Sequence, residues 1–247
     1  MALKVITIDF WNTIFDSSNG NARNNYRIEE FKNQMLILNK NISEEDYQKA
    51  MSSSWEYFNT IWKNDHRTPS TTETVSYFWK YLGLEPNKDS MDVLVRAFGD
   101  CVLYYPPVLI PEIHDSLYEL SKEFKLAVIS DTGFSPGSVL KRLMLENDIL
   151  QYFSEFSFSD ETGVAKPHPK AYMKVLDSLN CTPDEALHIG DIEETDILGA
   201  KNLGMKAIRF TGDPTATLNG NNPKHTIADY EAKQWSDIVK QISIINS

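Results

Sequence analysis

EALHIGDIEETDILGAKNLGMKAIRF (residues 185–210) contains two short apolar runs, EALHIG (185–190) and MKAIRF (205–210). Between them lie an acid-rich turn and a helix-periodic stretch over 195–203. A strand, a helix and a second strand at this spacing form a crossover unit, whose two strands pair in parallel. The same alternation extends upstream from 111: helix 111–123, strand KLAVIS (125–130), helix 136–147, strand EFSFS (155–159) and helix 168–180. Downstream, residues 212–225 are rich in Gly, Asn and Pro and read as a loop. QWSDIVKQISII (234–245) closes the chain as an amphipathic helix. LKVITI (3–8) supplies one more β-rich run at the other end. The fold class that follows is α/β, a Rossmann-like parallel sheet covered on both faces.

Residues 16–108 break this alternation and show only helical periodicity. NNYRIEEFKNQMLILNK (24–40) places Ile28, Phe31, Met35 and Leu38 on one face. The stretch 43–65 opens with Ser43 as N-cap followed by acids. The stretch 72–83 ends at a glycine, and 89–105 is stopped by Pro106-Pro107. The expected organisation is an α/β core from residues 1–15 and 109–247, with an all-helical cap domain of residues 16–108 inserted after the first strand. Aromatics of the inserted block, Trp55, Trp62 and Trp79 among them, read mainly as its core, with one or two expected to line a pocket.

Bulk composition narrows the partners. Of 247 residues, 41% are hydrophobic and 24% charged, and the formal net charge is −11. Such a field repels phosphate backbones and anionic lipid, so no nucleic-acid and no membrane partner is expected. Cys101 and Cys181 have no metal-ligand spacing and read as buried free thiols. With no apolar run of membrane-spanning length and no signal-type N-terminus, the expected location is cytoplasmic. Oligomeric state is left between monomer and homodimer.

In parallel sheets, ligands bind at the carboxyl ends of the strands. Those ends carry Asp9, then Ser130-Asp131-Thr132, then Lys166 in the loop after FSFSD, then Asp191 and Asp196. Asp9 alone is open to two readings, a strand-end cap or a nucleophile. Three acids, a hydroxyl and a lysine at one rim are harder to explain as caps. Asp9 with Asp191, and Asp196 as a further candidate, would offer oxygen ligands suited to Mg²⁺. Lys166 would neutralise Asp9 and an incoming phosphoryl oxygen, and Ser130 with the backbone N–H groups after it would bind another. Asp9 could then attack phosphorus and form an aspartyl-phosphate.

Four segments in this order, TIDFWNTIF, VISDTG, GVAKPHPKAY and HIGDIEETDILGAKNLGM, resemble the motifs of the haloacid dehalogenase (HAD) superfamily. The resemblance covers residues 3–15 and 109–210, and a helical cap after the first strand is also a feature of that superfamily. It implies that Asp9 is the nucleophile and a metal ligand, with Trp11 lending its backbone carbonyl to the metal. Ser130 and Lys166 would serve the phosphoryl group, Asp131 and Thr132 would extend the substrate site, and Asp191 and Asp196 would hold Mg²⁺. One departure matters. Phosphatases of the superfamily usually carry a second Asp where this chain has Trp11, and that Asp protonates the leaving group.

Three functions remain open on these grounds. The first is a Mg²⁺-dependent phosphohydrolase acting on a small phosphorylated substrate with a good leaving group, or with a proton from Asp16, Glu193, Glu194 or a cap group. A phosphonate-cleaving variant would need a reactive cap lysine, for which Lys32, Lys40 and Lys63 are candidates. The second is a 2-haloacid dehalogenase, which would need a cap arginine such as Arg23 or Arg27 and would not need Asp191. The third is a binding protein of the same fold without turnover. Among the histidines, His168 reads as a loop-shaping residue and His188 as a satisfied core residue, while His66 and His114 have no evident partners.

Overall fold

The structure, a computed structural model, describes residues 2–85, 87–216 and 223–246. Its elements run β1 (Val5–Ile8), α1 (Gly20–Ile37), α2 (Glu44–Asp65), α3 (Thr71–Tyr81), α4 (Lys88–Tyr104), α5 (Ile113–Ser121), β2 (Lys125–Ser130) and α6 (Gly137–Glu146). There follow β3 (Phe153–Phe158), α7 (Ser159–Thr162), α8 (Pro169–Ser178), β4 (Ala186–Gly190), α9 (Leu198–Asn202), β5 (Lys206–Phe210), β6 (Tyr230–Ala232) and α10 (Trp235–Asn246). A π-helical turn, Glu193–Ile197, leads into α9. The six strands form one all-parallel sheet in the order β3-β2-β1-β4-β5-β6. Strand order reverses beside β1, so the connections leaving β1 and β4 open a crevice at that point.

Both faces of the sheet are buried, which explains why its strands read as apolar runs rather than alternating ones. Ile6, Ile8, Leu126, Val128, Leu187 and Ile189 pack toward α5, α6 and α10. Val5, Ala127, Ile129, Ala186 and Ala207 pack toward α8 and α9. The expected loop after β5 is described only in part, since residues 217–222 lie outside the described residues. The chain then adds β6, a three-residue edge strand paired with β5 and too short for its pattern to be legible.

Helices α1–α4 share a second apolar core in which Phe31 stacks on Phe78 at 4.4 Å and Phe98 packs edge-on to Phe78. Their starts are set by side-chain caps. Ser43 accepts from Asp46 N (3.1 Å), Ser70 and Glu73 form a capping box, and Asn87 accepts from Ser90 N (3.0 Å). Helix α1 begins at Gly20, earlier than its periodicity indicates, because Asn19 turns the chain at φ 60°. Phe134 and Ala165, from the sheet side, complete this core.

The two segments joining the helices to the sheet run side by side. Asp16 N donates to Val108 O (2.9 Å), Val108 N to Asp16 Oδ1 (2.8 Å), and Ile110 N to Ile14 O (2.9 Å). Arg23 Nη1 donates to Ser18 O (2.8 Å) and Tyr105 O (2.9 Å), stapling the pair.

Candidate active site

β1 delivers Asp9 to the rim, where its backbone N–H donates to Ile189 O at 2.8 Å. A tight turn follows, with Asn12 at φ 56°, a conformation that asparagine tolerates better than most residues. The indole of Trp235 on α10 donates to Thr13 O (3.0 Å) and fixes that turn from below. Asn12 in turn points its carboxamide at Asp191 Oδ2, 3.4 Å away.

Lys166 organises the centre. Only 2% exposed, its ammonium donates to Asp9, to Asp196 Oδ1 (2.7 Å) and to Ile129 O (3.1 Å). Burial alone would lower its pKa, but Asp196, Asp9 and Asp131 hold it well above the usual lysine value. Asp196 receives three more donors: Ile192 N–H at 2.9 Å and Thr195 Oγ1 at 3.4 Å on Oδ2, and His188 Nε2 at 3.1 Å on Oδ1. His188 Nδ1 can then accept from Thr7 Oγ1 (2.8 Å), and burial keeps the imidazole neutral by lowering its pKa. His188 is therefore a satisfied buried histidine, and a partner of the site as well. Against the cost of burial, Lys166 and His188 hold the Asp196 carboxyl below the usual carboxylate range.

Two glycines make this approach possible. A Cβ at Gly190 would lie 2.3 Å from Asp196 Cγ, and one at Gly199 would lie 2.5 Å from Tyr172 Oη. Tyr172 Oη donates to Thr195 O (2.7 Å), holding the π-helical turn that the periodicity of 195–203 reads as ordinary helix.

Asp9, Asp191 and Asp196 each place a carboxylate oxygen so that all three lie within 4.8 Å of one another, and all are buried. Burial, with Asp196 and Asp131 adding to it, pushes Asp9 up to about 7 despite Lys166. Burial, Asp196 and Asp9 push Asp191 well above its ordinary value. One ammonium does not balance three acids at this range. Clustered hard oxygen donors lacking positive charge fit a divalent cation such as Mg²⁺.

The strand-end group after β2 divides. Ser130 Oγ is buried and has no hydrogen-bond partner among the described residues. Asp131 accepts from Lys166 N (2.9 Å) and from the Trp62 indole of α2 (2.8 Å), so it ties the lysine loop to the helices. Thr132 N donates to Ser159 Oγ (2.8 Å), and its hydroxyl lies 3.0 Å from the same atom. Thr132 thus belongs to the framework around the site, while Asp131 also lines the cavity above Asp9.

A cavity of about 790 Å³ opens over Asp9, Lys166, Asp191 and Asp196. Its other walls come from Trp11, from Arg23 and Arg27 on α1, from Trp55, Phe58 and Trp62 on α2, and from Phe134. Asp16, Glu193 and Glu194 do not line it. Asp16 bonds Ser18 and Val108, Glu193 bonds Arg209 and Thr226, and Glu194 is exposed. Lys32 is ion-paired with Glu29 and Glu44, and none of Lys32, Lys40 and Lys63 reaches the cavity. His168 caps α8, accepting from Lys170 N (3.1 Å). Sequence reasoning missed Asn12, and where it expected one or two aromatics of the inserted block at a pocket, Trp55, Phe58 and Trp62 all line the cavity. Only the φ > 0 tolerance of asparagine hinted at Asn12.

Residues 3–204 match the profile of the haloacid dehalogenase-like hydrolases. The chain belongs to that family. Glyceraldehyde 3-phosphate phosphatase from Pyrococcus furiosus is 36% identical to this hydrolase over 163 residues, 66% of this chain and 62% of that protein. The match thus spans less than two thirds of that relative's length. A 2-haloacid dehalogenase from Pseudomonas syringae pv. Tomato DC3000 superposes with a TM-score of 0.72 at 19% identity, covering 99% of this chain and 100% of the other. A HAD phosphatase from Thermococcus onnurineus gives 0.66 at 19%, covering 97% and 98%. These two likenesses establish the α/β fold. No helix among the described residues is long and apolar enough to cross a membrane.

Proposed function

We propose that this hydrolase is a Mg²⁺-dependent phosphohydrolase acting on a small phosphorylated substrate through an aspartyl-phosphate on Asp9. Helices α1–α4, within residues 16–108, serve as its cap. The observation that carries the reading is the Lys166 ammonium shared between Asp9 and Asp196 on the cavity floor, with the Asp191 carboxylate beside them.

An Asp9 oxygen attacks phosphorus while Lys166 holds the carboxylate in place and offsets charge on the phosphoryl oxygens. Ser130, a buried hydroxyl with no hydrogen-bond partner among the described residues, supplies a further donor to those oxygens. The bond from phosphorus to the leaving oxygen breaks, and the leaving group keeps the electron pair. Water then attacks the phosphorus, releasing inorganic phosphate and restoring the Asp9 carboxylate. Asp9, Asp191, Asp196 and the Trp11 carbonyl are the groups to hold Mg²⁺, which when bound supplies the positive charge that this cluster of acids lacks. Asp196, engaged by Lys166, His188 and Ile192 N–H, also fixes the lysine's direction. Trp11 has no proton to give, and the carboxylic acids lining the cavity all sit at the sheet rim. Good leaving groups are therefore preferred.

A second reading, 2-haloacid dehalogenation, draws support from the aromatic Trp11 and from the arginines of the cavity, and is opposed by Asp191. The test is phosphate release from p-nitrophenyl phosphate and acetyl phosphate with Mg²⁺ and with EDTA, beside halide release from chloroacetate. Metal-requiring phosphate release that disappears in Asp9→Asn supports the proposal. Halide release in EDTA without phosphate release overturns it.

A further inference from the structure

The described residues include three buried arginines that differ in one respect. Arg209 is paired with Glu193 (3.0 Å) and Glu231, the ordinary solution for a buried guanidinium. Arg27 is 3% exposed and makes no ion pair among the described residues. Its Nη1 donates to Asn24 Oδ1 (2.8 Å), its guanidinium carbon lies 4.7 Å from the Phe134 ring centroid, and its Nε has no hydrogen-bond partner among the described residues. The Cys101 thiol lies near it and favours its charge, while the like charge of Arg23 opposes it. Arg23, one turn earlier, is 8% exposed and donates Nη1 to two carbonyls; Asp16 acts on it at longer range, without an ion pair among the described residues. Burial lowers the pKa of both, that of Arg27 to about 10.

A chain with 35 acids against 24 lysines and arginines has carboxylates to spare, yet among the described residues none forms an ion pair with Arg27, and Asp16 reaches Arg23 only at longer range. An uncompensated buried cation is costly, and an anion delivered by a ligand removes that cost. Both arginines line the cavity that contains Asp9. In phosphoryl transfer the attacking and leaving oxygens lie roughly in line. With Asp9 attacking from the sheet rim, the leaving group faces the helical wall, where the arginines are.

We propose that Arg27, supported by Arg23, receives a second anionic group carried by the leaving group. The substrate class is then phosphoanhydrides, or phosphate esters whose leaving group bears a phosphoryl or carboxylate group. This rests on the phosphohydrolase reading and supplies what Trp11 lacks. When the phosphorus–oxygen bond breaks, the electron pair stays on the leaving oxygen, and a planar guanidinium holding the attached anion stabilises the departing charge.

Binding of non-hydrolysable probes tests the idea directly. Methylphosphonate carries one anionic group, phosphonoacetate adds a carboxylate, and methylenediphosphonate adds a second phosphonate. Calorimetric titrations of the whole protein with Mg²⁺ in excess are expected to show at least one two-anion probe binding roughly 10-fold or more tighter than methylphosphonate. The tighter of the two identifies the second group as carboxylate or phosphoryl. Arg27→Gln is expected to erase the preference without lowering the melting temperature. If that variant does not fold, Arg27→Lys, which keeps a charge, is expected to retain part of the preference. Equal affinity for all three probes, or a preference that survives Arg27→Gln, overturns the inference. Preference without phosphate release from any substrate would leave the anion site standing and sink only the hydrolytic reading.

Discussion

The cavity has two unlike walls. The sheet rim is a dense polar lattice: Lys166, Asp9, Asp196, His188, Thr7 and Ile192 N–H are joined by hydrogen bonds that leave each group one geometry. The helical wall is aromatic and cationic, with Trp55 stacked on Phe134 at 4.1 Å and two buried arginines that form no ion pair among the described residues. A fixed lattice suits chemistry common to every substrate, because its donors need no reorganisation as charge moves. A wall of rings and unsatisfied cations suits discrimination, because its contacts become favourable only with a matching ligand. Changes at the rim should therefore affect all substrates alike, and changes at the wall should affect some far more than others.

The largest expected effect is at the rim. Asp9→Asn should lower phosphate release by roughly 10⁴-fold or more for every substrate, read by single-turnover assays. A residual rate that varies with substrate would blur the division between the walls. Trp11→Asp should work in the other direction, raising kcat by about 10²–10⁴-fold on alkyl phosphate esters and far less on acetyl phosphate. Similar gains on both would show that leaving-group quality is not what Trp11 limits.

Asp191→Asn tests the charge imbalance. In metal-free protein, Asp9 and Asp191 keep protons that the unfolded chain releases, because burial raises both. Where the native state binds more protons, stability falls as pH rises, here from about pH 4 to about pH 7 for Asp9. Asp191→Asn should flatten that fall and stabilise the metal-free protein above neutral pH by roughly 1–3 kcal/mol, measured by urea melts in EDTA. It should also abolish stabilisation by added Mg²⁺. Trp62→Phe, which keeps a ring in the helical wall and removes only the donor to Asp131 at the rim, should have the smallest effect, a few-fold loss in kcat/KM shared by all substrates as for other rim changes.

These walls were unequally legible in the sequence. Asp9, Ser130 and Asp191 stand where apolar strands stop, Lys166 and Asp196 in the segments that follow two of them, and a parallel sheet brings such positions to one edge. Trp55, Phe58 and Trp62 recur at helical spacing, which marks a buried face without saying whether it meets protein or an open cavity. Arg27 lies one residue from Ile28, and nothing in the periodicity distinguishes a buried guanidinium from a solvated one. Glu193 and Glu194 look alike in the chain. Only the π-helical turn, held by Tyr172, sends the first inward to Arg209 and leaves the second in solvent. The edge strand β6 depends on pairing with β5, a long-range contact that three residues do not announce.

Asp131 gives the two walls a shared joint. One of its oxygens takes the Lys166 backbone N–H and the other takes the indole of α2. Any swing of that helix away from the sheet pulls on the peptide that aims the ammonium, so seating a substrate and aligning the lysine become a single mechanical event. Trp62 emission would report that event without an attached dye.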